Sequence, residues 1–330
     1  MSEDAPGVLV DRRFIPFPTS VSTKASEALR ALVGDDGVPL NSLHSLPAAD
    51  DLAGWTALKR HVEANYASKL ADAAGTLLAS CETLVVEGAT IHVATPEQAS
   101  RSDCVYIDLH GGALVLGGGD ACRTGARLQA DLHNIPCVGV DYRTPPEHPF
   151  PAALDDCLAA YRYVLGRFTP ERIVIGGRSA GGNLAAAMLL RGREEGLPMP
   201  AALVLLSPQV DLTESGDSFQ VNRNVDVVLP GSLMSANLLY ADGADLSDPH
   251  LSPLFGDLTD FPPVFLQTGT RDLFLSNTVR MHRAMLAAGV QAELHVFEAM
   301  PHGGFTGRTE EDEELSKQAR VFVKRQLELA

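Results

Sequence analysis

The sequence predicts an α/β fold, a mostly parallel eight-stranded sheet flanked by helices and carrying a helical cap, and three observations lead there. From about residue 82 onward, short runs rich in β-branched and aliphatic residues alternate with longer amphipathic stretches. That is the pattern of strands joined by crossover helices, not of hairpins. One run, RIVIGGRSAGGNLAAAMLL, passes from strand to helix character across a single small-residue turn. Two stretches, 1–80 and 212–260, break the rhythm and are expected to meet as the cap.

In chain order, residues 1–80 carry helical pattern without a strand and form the N-terminal cap segment of the predicted organisation; residues 81–330 form the main α/β domain. Its candidate strands are ETLVVEG, ATIHVAT, CVYIDLH, CVGVDY, RIVIGG, ALVLLSP, PVFLQTG and ELHVF. Each is short, rich in Val, Ile and Leu, and bounded by turn residues. Helical patterns follow the fourth, fifth and seventh runs: PAALDDCLAAYRYVLGRF, SAGGNLAAAMLLRGREEG and SNTVRMHRAMLAAG. A last helix fits 309–328, with Thr309 as N-cap and Glu310, Glu311 and Asp312 at the positive end of its dipole. Residues 212–260 are rich in Asp, Ser, Asn and Pro, too long a stretch for a structureless loop in a compact domain. They are expected to make a short helical excursion and contribute to the cap.

Charge narrows the function classes. With 42 acidic against 26 basic side chains the formal net charge is −16, which repels phosphate backbones and anionic lipid surfaces, so no nucleic-acid partner is expected. The start, MSEDAPGVLVDRR, lacks the basic and apolar regions of a signal peptide, and no segment reaches the length of a membrane span. A soluble cytoplasmic protein is the expectation. Cys81, Cys104, Cys122, Cys137 and Cys157 are odd in number and form no C-x-x-C pair, so they read as buried thiols.

The chemistry centres on Gly177-Arg178-Ser179-Ala180-Gly181, a G-x-S-x-G string with a strand running in and a helix running out. So sharp a turn needs small flanking residues and holds the Ser179 hydroxyl above the sheet edge, at the helix's positive end. His110-Gly111-Gly112-Ala113 ends an earlier strand. Its backbone N–H groups, with that of Ala180, can receive a developing oxyanion. Gly117-Gly118-Gly119 follows, but it lacks the Gly-Lys-Ser/Thr ending of a phosphate loop and precedes Asp120. A base is expected after the last strand, where His302 stands in Met300-Pro301-His302-Gly303-Gly304-Phe305; His282 and His295 fall on a helix and a strand. For the carboxylate, Asp272 follows PVFLQTG at the same predicted sheet edge, and Asp211, after ALVLLSP, is its competitor.

Taken together, these strings resemble the bacterial hormone-sensitive-lipase-like family of α/β-hydrolases, over about 82–325. The most specific is DYRTPPEHPFPAALDD, from Asp141 to Asp156. The resemblance implies an α/β-hydrolase fold, a serine esterase with Ser179, Asp272 and His302 as triad, Gly112 and Ala113 as direct oxyanion donors, and a scaffolding role for the Asp141–Asp156 string. It also implies a cap over the acyl and alcohol pockets and a small-molecule ester as substrate, short-chain or cyclic, lactones included. The implied reaction, acylation of Ser179 and hydrolysis of the acyl-enzyme, needs no cofactor and no metal. A homodimer is carried as an open expectation. An amidase or peptidase on the same fold is the nearer alternative; a non-catalytic small-molecule receptor is disfavoured by His302 standing in place. Three departures from the family pattern are Arg178 before the serine, Ala113 for a third glycine, and the extra glycine of Gly303-Gly304.

Overall fold

The computed structural model describes residue 8 and residues 14–43, 45–229, 231–305 and 307–328, with the backbone alone for 66–73. Apart from Val8, the stretch 1–13 read above against a signal peptide lies outside the described residues.

The strands are β1 Ser80–Val86, β2 Ala89–Thr95, β3 Val105–Leu109, β4 Cys137–Asp141, β5 Ile173–Arg178, β6 Ala202–Leu206, β7 Val264–Gly269 and β8 Ala292–Phe297. They form one eight-stranded sheet in the order β1-β2-β4-β3-β5-β6-β7-β8. β1 and β2 make a hairpin through Glu87 and Gly88, both at positive φ, and β2 runs antiparallel to β4; every other pairing is parallel. The helices are α1 Thr23–Ala31, α2 Leu52–Thr76, α3 Asp120–His133, α4 Ala152–Leu165, α5 Ala180–Glu194, α6 Ser218–Val221, α7 Met234–Ala241, α8 Leu275–Ala287 and α9 Glu310–Gln326. Among the described residues no helix is long and apolar enough to cross a membrane.

Side-chain alternation explains why the central strands read as unbroken apolar runs. In β3, Val105, Ile107 and Leu109 enter one core while Tyr106 enters the other; in β5, Ile173 and Ile175 oppose Val174; in β6, Leu203 and Leu205 oppose Ala202 and Val204. The first core is closed by α4, α5 and α8, and the second by α3, α9 and α1, so both faces must be apolar. Crossover helices on both faces place the strands' carboxyl ends along one edge, where α/β sheets gather their functional loops.

Above that edge, Trp55 at the start of α2 packs with Val115, Ala236 and Leu239, and Phe219, Leu233, Leu273 and Phe274 form a neighbouring cluster; Leu46 and Ala113 touch both. The Trp55 indole N–H is satisfied by the carbonyl of Ala48 at 2.9 Å, and the Asn41 amide donates to the Asp226 carbonyl at 3.1 Å. α1 goes elsewhere: Ala25 and Leu29 join the core beneath α9, and the Ser22 N–H and hydroxyl donate to the Glu311 carboxylate at 2.7 and 2.8 Å.

Candidate active site

The turn from β5 into α5 shows why the pentapeptide needs its glycines. A Cβ on Gly177 would fall 2.2 Å from the backbone of Gly181, and one on Gly181 would fall 1.8 Å from the carbonyl oxygen of Leu109. Ser179 between them is held at φ 56°, ψ −119°, a conformation that side chains rarely adopt and that sharp functional turns impose. Its N–H is fixed to the Leu206 carbonyl at 2.9 Å. The hydroxyl is left at the N-terminus of α5, where the helix dipole favours negative charge.

The loop after β8 carries His302 to this turn. His302 Nε2 lies 3.0 Å from Ser179 Oγ, and His302 Nδ1 lies 3.0 Å from Asp272 Oδ1. An ionised carboxylate only accepts, so Nδ1 bears the proton and Nε2 turns its lone pair to the serine hydroxyl. All three side chains are buried. The Phe274 ring meets the imidazole edge-on with centroids 4.8 Å apart. Burial alone would raise the Asp272 carboxyl, but the adjoining His302 and donors such as the Phe274 N–H, at 2.8 Å, outweigh it and hold the carboxyl below its ordinary value. Thr268 Oγ1 donates to the other oxygen at 2.8 Å. Asp211, the competing carboxylate, is occupied elsewhere: it accepts from Thr213, Ser215 and Arg280.

The turn after β3 faces the same point. Among the described residues, the N–H groups of Gly111, Gly112, Ala113 and Ala180 donate no hydrogen bond within the protein. The Tyr142 hydroxyl donates to the His110 carbonyl at 2.7 Å, and the Tyr142 ring stacks on the His110 imidazole with centroids 4.0 Å apart. Asp156 clamps Arg143 through its backbone N–H and its guanidinium. The Asp141–Asp156 string therefore buttresses the turn.

Three further groups have contacts at the site that the sequence did not reveal. Asp312 gathers the N–H groups of Phe305, Gly307, Arg308 and Thr309, closing the far side of the His302 loop, while Thr309 and Asp312 form a capping box on α9. The Thr-x-x-Asp spacing was a signal for it. The Arg178 guanidinium donates to the Gly303 carbonyl, bracing the glycine pair from the serine side. Asp226 had no sequence signal. It accepts from Leu273 N–H at 2.8 Å and from Val228 N–H at 2.8 Å, and burial together with the nearby Asp272 charge pushes it up to about 6.

Because the folded state raises this carboxyl above its unfolded value of about 3.9, the protonated form favours folding. The associated stability is full below about pH 4 and is lost as pH rises through the raised folded value. The Asp226→Asn variant is expected to lack that slope whatever its absolute stability, and thermal melts of both proteins from pH 4 to pH 8 check it; parallel profiles would refute the assignment.

A hydroxyl, an imidazole and a carboxylate in line, beside unengaged N–H groups on a doubly covered sheet, define a hydrolase of the α/β type. Comparison with known proteins agrees. A family model described as the alpha/beta hydrolase fold matches residues 106–306. The crystal structure of esterase E25 superposes with a TM-score of 0.89 at 33% identity, covering 97% of this chain and 98% of that one. An esterase from the bacterial hormone-sensitive lipase family gives 0.77 at 30% identity, covering 94% and 100%. An acetyl-hydrolase of Streptomyces hygroscopicus is 35% identical over 206 residues, 62% of this chain and 69% of the relative. The chain belongs to the bacterial hormone-sensitive-lipase-like family of α/β-hydrolases, and it is a carboxylic-ester hydrolase.

Proposed function

We propose that this protein hydrolyses short-chain or cyclic carboxylic esters, lactones included, through a Ser179–His302–Asp272 triad and an acyl-enzyme intermediate. The observation that carries the reading is the unbroken Oγ–Nε2 and Nδ1–Oδ1 chain, at 3.0 Å for each link, on a strained strand-to-helix turn. Ser179 Oγ attacks the acyl carbon as His302 takes its proton; the tetrahedral oxyanion is received by the N–H groups of Gly112, Ala113 and Ala180, with Gly111 shaping the turn. His302 then protonates the departing alcohol, and water enters by the same base to release the acid. Asp272 keeps the imidazole in the tautomer the reaction needs.

In this proposal the cap is drawn from the stretches 1–80 and 212–260 through the clusters around Leu46, Trp55, Phe219 and Leu239, α1 lying apart from it beneath α9. Leu46 and Phe219 stand against Ala113 and Phe274, next to where an acyl group would lie, which supports a short acyl site. The name of the acetyl-hydrolase relative points the same way. A series of nitrophenyl esters of increasing acyl length, with a small lactone alongside, tests the reading: kcat/KM is expected to be greatest for the shortest acyl chains and the lactone to be opened. Turnover of anilides in preference to every ester would favour the amidase alternative. Leu46→Ala, which removes bulk from the cap cluster, is expected to shift the profile toward longer chains; an unchanged profile would remove the cap from substrate selection.

A further inference from the structure

Behind the oxyanion turn lies a second group of reactive side chains that the hydrolytic machinery does not use. One ring nitrogen of His110, the Sγ of Cys122 and a carboxylate oxygen of Asp141 all lie within 4.8 Å of one another. They converge from the end of β3, the first turn of α3 and the end of β4. His110 Nδ1 sits 2.8 Å from the Gly111 carbonyl oxygen and so carries the proton, which leaves Nε2 as a bare lone pair. That nitrogen is enclosed and meets no hydrogen-bond partner among the described residues. A second imidazole stands beside it: His92, 5% exposed on β2, pairs its Nδ1 with the Thr83 hydroxyl at 3.0 Å. Its Nε2 faces Asp141 Oδ2 at 3.4 Å, the distance of an ion pair when the ring is protonated. The enclosed His110 Nε2 lone pair, converging with a thiol and a carboxylate, is placed to meet a ligand.

The Gly117-Gly118-Gly119 run is moulded onto this group. A Cβ on Gly117 would fall 2.8 Å from His110 Nδ1, one on Gly118 would fall 2.7 Å from Asp141 Oδ1, and the Gly119 N–H donates to Asp141 Oδ1 at 2.9 Å. Only glycine lets the chain lie this close to the donors. The Asp141 side chain is 21% exposed, so the group has a route to solvent.

We propose that His110, Cys122 and Asp141, with His92 steadying the Asp141 carboxylate, bind a borderline transition-metal ion of the zinc class. Imidazole nitrogen, thiolate sulfur and a single carboxylate suit such an ion; magnesium and calcium require shells of oxygen. The cysteine binds as thiolate, its proton passing to solvent as the S–metal bond forms. The ion ties the His110 end of the oxyanion turn to α3 and β4, and it takes no part in ester cleavage.

The test uses the reduced, chelator-treated full chain. Calorimetric titration with Zn²⁺ is expected to give one ion per chain, and Co²⁺ to produce a thiolate-to-metal charge-transfer band in the near ultraviolet. Cys122→Ser is expected to abolish the band, while Cys157→Ser, at a buried thiol outside the group, keeps it. Asp141→Asn is expected to weaken Zn²⁺ binding on the order of tenfold or more, and it decides the matter if Cys122→Ser does not fold. Absence of the band in the parent protein, its persistence in Cys122→Ser, or an unchanged Zn²⁺ affinity in Asp141→Asn would each overturn the site.

Discussion

Ester turnover is expected to vanish in Ser179→Ala, with kcat falling by about 10⁶, the scale of losing a triad nucleophile outright. The fold should persist. The Ser179 backbone is fixed by its N–H to Leu206 and by the N-terminus of α5, neither of which involves the hydroxyl, and alanine adds no bulk to a turn already walled by glycines. Progress curves on an activated short-chain ester, read beside a melting curve, give the result. A folded variant that retained turnover above about a thousandth of the parent's would take the nucleophile's role from Ser179.

The second large effect separates two carboxylates. Asp272→Asn keeps the side chain's size but sets an amide against His302 Nδ1, favouring the tautomer in which Nε2 can no longer accept the serine proton. The comparable change in a serine protease costs about 10⁴ in turnover. Asp211→Asn disturbs the Thr213, Ser215 and Arg280 contacts instead, and its expected cost is about 1–3 kcal/mol of stability with little change in kcat. Measuring kcat for both variants on one ester decides the matter; a greater loss at Asp211 than at Asp272 would exchange their roles and leave those of Ser179 and His302 untouched.

Much of this architecture was legible because short-range chemistry and long-range placement coincide. The eight apolar runs fall on the eight strands: the central ones, covered on both faces, have no polar side to disguise them, while the half-exposed edge strands β1 and β8 show themselves by their β-branched and aliphatic content and bounding turns. Ser179 and His302 could be found because each occupies a turn whose neighbours are constrained in kind: glycines that make way for backbone at 177 and 181, and a loop directly after the last strand. Asp226 was beyond reach for the opposite reason. It lies in an irregular segment, and what makes it matter, its N–H donors from 228 and 273 and the Asp272 charge beside it, is brought together only by folding. The helical pattern that α1 and α2 fulfil was visible, but the destination of α1 was not, because an amphipathic helix of nine residues states which face it buries and not against what.

Asp312 has a consequence for the order in which activity is acquired. The carboxylate that closes the histidine loop belongs to the first turn of α9, and α9 is held by the core it shares with α1 and β7. A chain still being synthesised can complete the Ser179 turn and the Gly111–Ala113 turn and yet leave His302 unanchored until α9 has emerged and docked. Catalytic competence then waits on α9, and it is expected to appear in step with protection of the α9 amides from exchange, not with the earlier collapse of the central sheet.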